Sequence, residues 1–118
     1  MATITFKTKK ARRIKRHLRL RAKIHGTNQR PRLSVFKSHQ HIYVQLINDA
    51  SAKTLASVSD LDIKKGKKSD RAMEVGELIA KKAKALKIKK VVFDRGGFKY
   101  HGRIKQLVEG ARKGGLIF

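Results

Sequence analysis

Forty-eight residues pass before the first carboxylate of this chain, Asp49, and 13 of them are Lys or Arg. A segment so dense in one sign of charge cannot neutralise itself. Repulsion therefore keeps it extended in water until an external anion lies along it. The hydrophobic core has to come from the C-terminal part of the chain, and a polyanion is the expected partner of the N-terminal part. The other 70 residues hold 18 Lys and Arg against 8 Asp and Glu, so the excess runs through the whole chain and reaches +23 over 118 residues. Such a balance points to nucleic acid or an anionic membrane surface.

The membrane reading is the weaker. No apolar run approaches the ~20 residues a spanning helix needs, and the basic segment lacks the broad Trp- or Phe-bearing face of an interfacial helix. A mitochondrial transit peptide is a closer imitator, but those favour Arg and Ser, and here the first serine is Ser34. The chain has no cysteine, which excludes disulfides and thiolate metal sites. The expectation is a cytoplasmic protein, monomeric and free of membrane contact.

Met1 to Ala11 shows no period. Ile14, Leu18 and Ala22, each four apart, predict a helix over Arg12 to His25. Like charges at Arg12/Arg16 and Lys15/Arg19 each oppose it by about 0.2–0.5 kcal/mol. Such a helix is expected to form on a partner, not alone. Gly26 ends it, and Thr27 to Pro31 reads as a hinge. The chain thus divides into a basic arm, 1–29, disordered when free, and a globular domain, 30–118.

In that domain Leu33, Val35, Ile42, Val44 and Leu46 alternate with polar residues, as half-buried strands do. Thr54 to Ser59 is a third strand, and Leu61 to Lys68, polar, lysine-rich and carrying Gly66, a surface loop. Ser69 is the expected N-cap of a helix carrying Ala72, Val75, Ile79, Ala83 and Leu86. Lys90 to Asp94 is apolar on both faces and reads as a central strand. The helix before it implies a crossover and a parallel pairing. Ile104, Leu107, Val108 and Ala111 mark a last helix, stopped at Gly114 and Gly115. The predicted fold is α/β: a mixed β-β-β-α-β-α sheet with its helices on one face and the other open to a partner.

Two stretches carry chemistry. The arm offers Lys9, Lys10, Arg12, Arg13, Lys15, Arg16, His17, Arg19, Arg21 and Lys23. If ~6–10 of its cations engage phosphates, log K falls against log salt with a slope of about −4 to −9. The second stretch runs Asp94, Arg95, Gly96, Gly97, Phe98, Lys99, Tyr100, His101, Gly102, Arg103. It joins a strand end to a helix start, where free amides suit an anion. Its glycines allow backbone to approach phosphate or simply make turns. Of Phe98 and Tyr100, one is expected to be buried and one exposed for stacking on bases. The glycine spacing is neither a Rossmann nor a Walker fingerprint. Asp94 occupies a position typical of catalytic carboxylates. Two-metal cleavage, though, needs several carboxylates around one site, and the remaining acids read as loop or exposed helix residues. Asp94 is better read as holding Arg95 or the loop amides. His39 and His41 lack further ligands for zinc, so no metal or cofactor is expected.

The blocks Gly26-Thr27-x-x-Arg30-Pro31-Arg32-Leu33-Ser34-Val35-Phe36-Lys37-Ser38, His41-Ile42-Tyr43, Val91 through Arg103, and Gly115-Leu116-x-Phe118 closely resemble the bacterial-type large-subunit ribosomal protein eighteen family. The likeness runs from about Arg12 to the C-terminus. It implies a structural protein that binds 5S ribosomal RNA and helps attach it to 23S RNA in the central protuberance, beside other large-subunit proteins. It also implies an arm that is mobile until RNA binds. On that reading Arg30, Arg32, Lys37, Ser38 and His39 join the arm and residues 95–103 as RNA-binding positions. Phe98 stands where the family usually has Tyr, Lys37 where Arg is common, and the 63–68 loop is shorter and more basic. The setting is bacterial or organellar.

Overall fold

The computed structural model describes residues 8–63 and 66–118. The unpatterned Met1 to Lys7, and Lys64 and Lys65 of the basic loop, lie outside the described residues. The elements are α1 (Lys9–Lys23), β1 (Arg32–Lys37), β2 (Ile42–Asn48), β3 (Lys53–Ser59), a 3₁₀ turn (Asp60–Asp62), α2 (Lys68–Ala85), β4 (Val92–Asp94) and α3 (Arg103–Lys113). They form one sheet in the order β3-β2-β1-β4, antiparallel except for the β1–β4 pair, which is parallel. The predicted element order and the parallel pairing are both present.

Alternation builds the core. Leu33 and Val35 of β1 and Ile42, Val44 and Leu46 of β2 point to one face and are at most 2% exposed. Val75, Ile79 and Ala83 of α2 and Ile104, Leu107 and Ala111 of α3 close over them. Each buried aliphatic side chain contributes about 1.5–3 kcal/mol. The two helices touch through glycine: a methyl group at Gly76 would lie 2.1 Å from the Leu107 carbonyl oxygen, and one at Gly110 the same distance from that of Met73. No larger residue fits this crossing.

Three local expectations need correction. The N-cap of α2 is Lys67, with no side-chain hydrogen bond, and Ser69 lies inside the helix. β4 is an edge strand, not a central one. Its apolar outer side is covered by the C-terminal tail: Val91 donates to the Ile117 carbonyl at 3.1 Å, and the Phe93 and Phe118 rings lie 5.6 Å apart. The tail takes the place of a neighbouring strand. Finally, α1 begins earlier than the periodicity suggests, because the Thr8 hydroxyl accepts from the Ala11 amide at 3.0 Å and caps it.

Helix α1 lies on the side of the sheet opposite α2 and α3, against β4 and the loop after it. It docks by its polar side. Arg13 donates to the Gly96 carbonyl at 3.2 Å, Arg16 to that of Gly97 at 2.9 Å, and His17 lies 3.2 Å from Asp94. Ile14 and Leu18, the apolar line that predicted the helix, remain 41% and 61% exposed. So α1 covers part of the sheet face expected to be open, and the rest stays uncovered.

Candidate nucleic-acid interface

The site begins with two carboxylates. Asp94, fully buried at the end of β4, accepts from Arg32 at 2.7 Å and, through its other oxygen, from the Gly96 amide at 2.9 Å. Asp49 accepts two hydrogen bonds from Arg32 at 3.0 and 3.1 Å and one from the Gly26 amide at 2.7 Å, with Arg21 of α1 3.5 Å away. The Arg32 hydrogen bonds hold the Asp49 carboxyl down to about 2, aided by the Gly26 amide and resisted by its burial. Burial alone would lower the Arg32 pKa; its hydrogen bonds to Asp49 and Asp94 outweigh that and raise it. Arg32, only 8% exposed, therefore pairs internally and presents no guanidinium to a partner. The arm's compensating charge on its docked side comes from these two acids, Asp94 meeting α1 at its middle through His17 and Asp49 near its C-terminal end through Arg21.

This anchoring explains the glycines. A methyl group at Gly97 would lie 2.3 Å from the Arg13 carbonyl oxygen, and one at Gly96 2.6 Å from that of Val35. The close approach that these residues permit is made by the protein's own backbone. Both are buried, at φ +78° and +66°, so they shape the loop without facing outward. Gly102 differs: it is exposed, at φ +57°, with nothing near its missing side chain.

Above this base the three segments singled out by sequence meet. Lys10 and Arg13 of α1, Lys37, Ser38 and His39 of the β1–β2 hairpin, and Phe98 and Arg103 line one recess of about 430 Å³. Phe36, not expected at the site, completes it; its place opposite the buried Val35 in the alternation was the available signal. Phe36 and Phe98 meet edge to face at 6.1 Å, and the Arg13 guanidinium lies 4.7 Å from the Phe98 centroid. Lys37 approaches the same ring at 5.5 Å. Phe98 is thus the half-buried aromatic and Tyr100, 44% exposed, the outward one. Arg103 fixes the hairpin tip by donating to the Ser38 carbonyl at 2.7 Å.

The recess is short of negative charge. Burial lowers the Lys37 pKa, and repulsion from Arg103 lowers it further. The second Arg103 nitrogen, Nη1, is buried without a hydrogen-bond partner. A buried donor of this kind costs about 1–3 kcal/mol until an acceptor arrives. An anion seated in the recess offsets the repulsion between Lys37 and Arg103.

The other expected positions divide clearly. Lys9, Arg12, Lys15, Arg19 and Lys23 are exposed along α1, as are Arg30 at the hinge and Lys99 and His101 beside Tyr100. Arg16 is exposed while donating to Gly97. His17, Arg21 and Arg95 are half-buried, the first two turned to the carboxylates. His41 turns from His39 to Asp60, 3.0 Å from its Nδ1. Among the described residues no group of three His, Cys, Asp or Glu can hold a metal, and no helix is long and apolar enough to cross a membrane. Asp94 holds the loop amide, as expected, and Arg32 in place of Arg95.

A mixed sheet bearing a cationic helix and an anion-seeking, aromatic-floored recess defines a nucleic-acid-binding scaffold. Residues 7–118 match the family model described as ribosomal L18 of archaea, bacteria, mitochondria and chloroplast. The large ribosomal subunit protein uL18 of Pseudothermotoga lettingae is 53% identical over 116 residues, covering 93% of this chain and 95% of the relative. That of Leuconostoc mesenteroides is 54% identical over 107 residues, covering 90% and 92%. That of Chloroherpeton thalassium is 53% identical over 117 residues, covering 95% and 98%. The chain belongs to the ribosomal L18 family. It is a structural, ribosomal-RNA-binding constituent of the large ribosomal subunit, and not an enzyme.

Proposed function

We propose that the recess and the exposed face of α1 bind 5S ribosomal RNA and help attach it to 23S RNA in the central protuberance, beside other large-subunit proteins of a cytoplasmic ribosome. The carrying observation is a recess lined by Lys10, Arg13, Lys37 and Arg103 with no carboxylate among its lining residues, around a lysine already lowered by burial and repulsion. That arrangement favours a phosphate. The exposed cations of α1 continue away from the recess and suit a second RNA strand or a second RNA. Segment 1–29 then acts as an arm distinct from domain 30–118. No residue of α1 is buried, so little apolar burial holds it in place. Part of its ordering is coupled to RNA binding.

The test is binding to 5S RNA across a salt series, with unrelated RNA and duplex DNA as competitors. Changing both Lys37 and Arg103 to Ala should weaken 5S binding and reduce the log–log salt slope by about 1.4–1.8, two phosphate contacts at ~0.7–0.9 each. An unchanged slope removes the recess from the interface. Equal competition by all three nucleic acids removes the 5S assignment.

A further inference from the structure

Helices α2 and α3 end at one recess and close in the same way. The amides of Lys87 and Ile88 return to the carbonyls of Lys84 and Ala83 at 3.0 and 2.8 Å, and those of Gly115 and Leu116 to Arg112 and Ala111, both at 3.1 Å. Both are Schellman caps. The residue at the turn of such a cap has a positive φ, which glycine adopts without steric penalty. Helix α3 uses Gly115, at φ +108°, whereas α2 keeps a lysine, Lys87, at φ +61°. Capping does not explain that side chain.

The recess between the two caps measures about 550 Å³, within the ~300–1,000 Å³ range of ligand sites. Ala80, Ile88, Leu116 and Ile117 give it an apolar wall, and Lys84, Lys87 and Lys89 stand around it. A second recess of about 320 Å³, walled in part by Leu55 and Leu86, shares Lys87 and Ile88 with the first. Lys87 therefore stands where the two join into one groove. The tail that forms one wall is held by its backbone: Ile117 donates to the Lys89 carbonyl at 2.9 Å and accepts from the Val91 amide at 3.1 Å. The Ile117 side chain nevertheless stays 57% exposed, and Leu86 49%. Among the described residues the amines of Lys84, Lys87 and Lys89 have no partner. No acid, arginine or aromatic ring lines either recess.

This lining selects among occupants. RNA presents phosphates and flat bases, which arginine forks and aromatic rings engage, and the groove has neither. A second copy of a +23 chain brings like charge to like. We infer that the groove docks an extended acidic segment of a different protein, with an aliphatic side chain in each recess and flanking carboxylates on Lys84, Lys87 and Lys89. The groove shares no residue with the RNA-binding recess. The inference therefore stands apart from the 5S reading.

The test uses the full chain and short synthetic peptides in which Leu alternates with Glu, Leu with Lys, or Ser with Glu. The Leu/Glu peptide should bind, and each of the others about tenfold more weakly or worse. Changing Lys84 and Lys89 to Gln and Lys87 to Gly should weaken the Leu/Glu peptide about tenfold, as the loss of three rim charges predicts. Ile117→Ser should weaken it by a similar factor through lost apolar contact. Because glycine relieves the cap, the triple variant should unfold at no lower urea concentration than wild type. Its log–log salt slope for 5S RNA should also be unchanged. A slope shallower by about 2–2.7 places phosphates in the groove and overturns the inference. So does equal binding of either control peptide, wild-type affinity in either variant, or failure of the Leu/Glu peptide to bind. If wild type shows no preference for 5S RNA, the 5S reading fails and the peptide results still decide this one.

Discussion

Asp94→Asn isolates the buried charge on which the interface is built. The side chain keeps its volume, so no cavity is created. One asparagine atom can still accept from the Gly96 amide, but the other becomes an NH₂ group facing the Arg32 guanidinium and the His17 ring, now at 2.7 and 3.2 Å from a carboxylate oxygen. Donor then meets donor in a site that is fully buried. Arg32 retains its bonds to Asp49, so the loss should fall at the lower end of the ~3–5 kcal/mol typical of breaking a buried ion pair, near 3 kcal/mol. Against a total of about 5–15 kcal/mol for a domain this is a large fraction. With a urea m-value near 2 kcal/mol/M, the unfolding midpoint should fall by about 1.5 M at constant m. The amides of Arg13 to Arg21 should meanwhile exchange faster than those of β1 and β2, because α1 loses a docking contact. Adding Arg32→Gln to Asp94→Asn should cost less than the sum of the single changes, since each alone leaves its partner unmatched. A midpoint shift below about 0.5 M would refute the claim that Asp94 organises this region.

Two other outcomes rest on single residues. Asp49 has its carboxyl lowered from 3.8 to about 2, so its contribution is fully present above pH 4 and lost as the pH falls through 2. A shift of that size corresponds to about 2 kcal/mol, and Asp49→Asn should flatten the acid limb of urea stability measured between pH 5 and pH 2. Gly110→Ala should destabilise by about 2 kcal/mol in the same assay, because overpacking against the Met73 carbonyl exceeds the ~1 kcal/mol gained in helix propensity; equal or greater stability would show that the α2–α3 crossing adapts.

Much of this protein was legible in its residues. Period-two alternation located β1 and β2 and named their buried residues, because a strand's facing is fixed every second residue. Helical spacing did the same for α2 and α3. The arm's charge, the hairpin tip and the 95–103 loop were each marked as candidate interface from composition and local pattern. What escaped depends on distance along the chain. The docked side of α1 could not be read from Ile14 and Leu18, because its partners are carboxylates that arrive 28 residues (Asp49 to Arg21) and 77 residues (Asp94 to His17) later. For the same reason Arg32 read as an interface cation, whereas it lies between Asp49 and Asp94.

The amino-acid order alone determined the elements, the core and the basic character of the chain, since these rest on local propensity, periodicity and charge. Tertiary structure decided which charges remain for a partner. Folding places three distant segments around one recess, pairs Arg32 and Arg21 with acids, fills the glycine loop with the arm's own backbone, and leaves Arg103 Nη1 unmet. Coulomb energy depends on separation in space, and only the folded chain sets that.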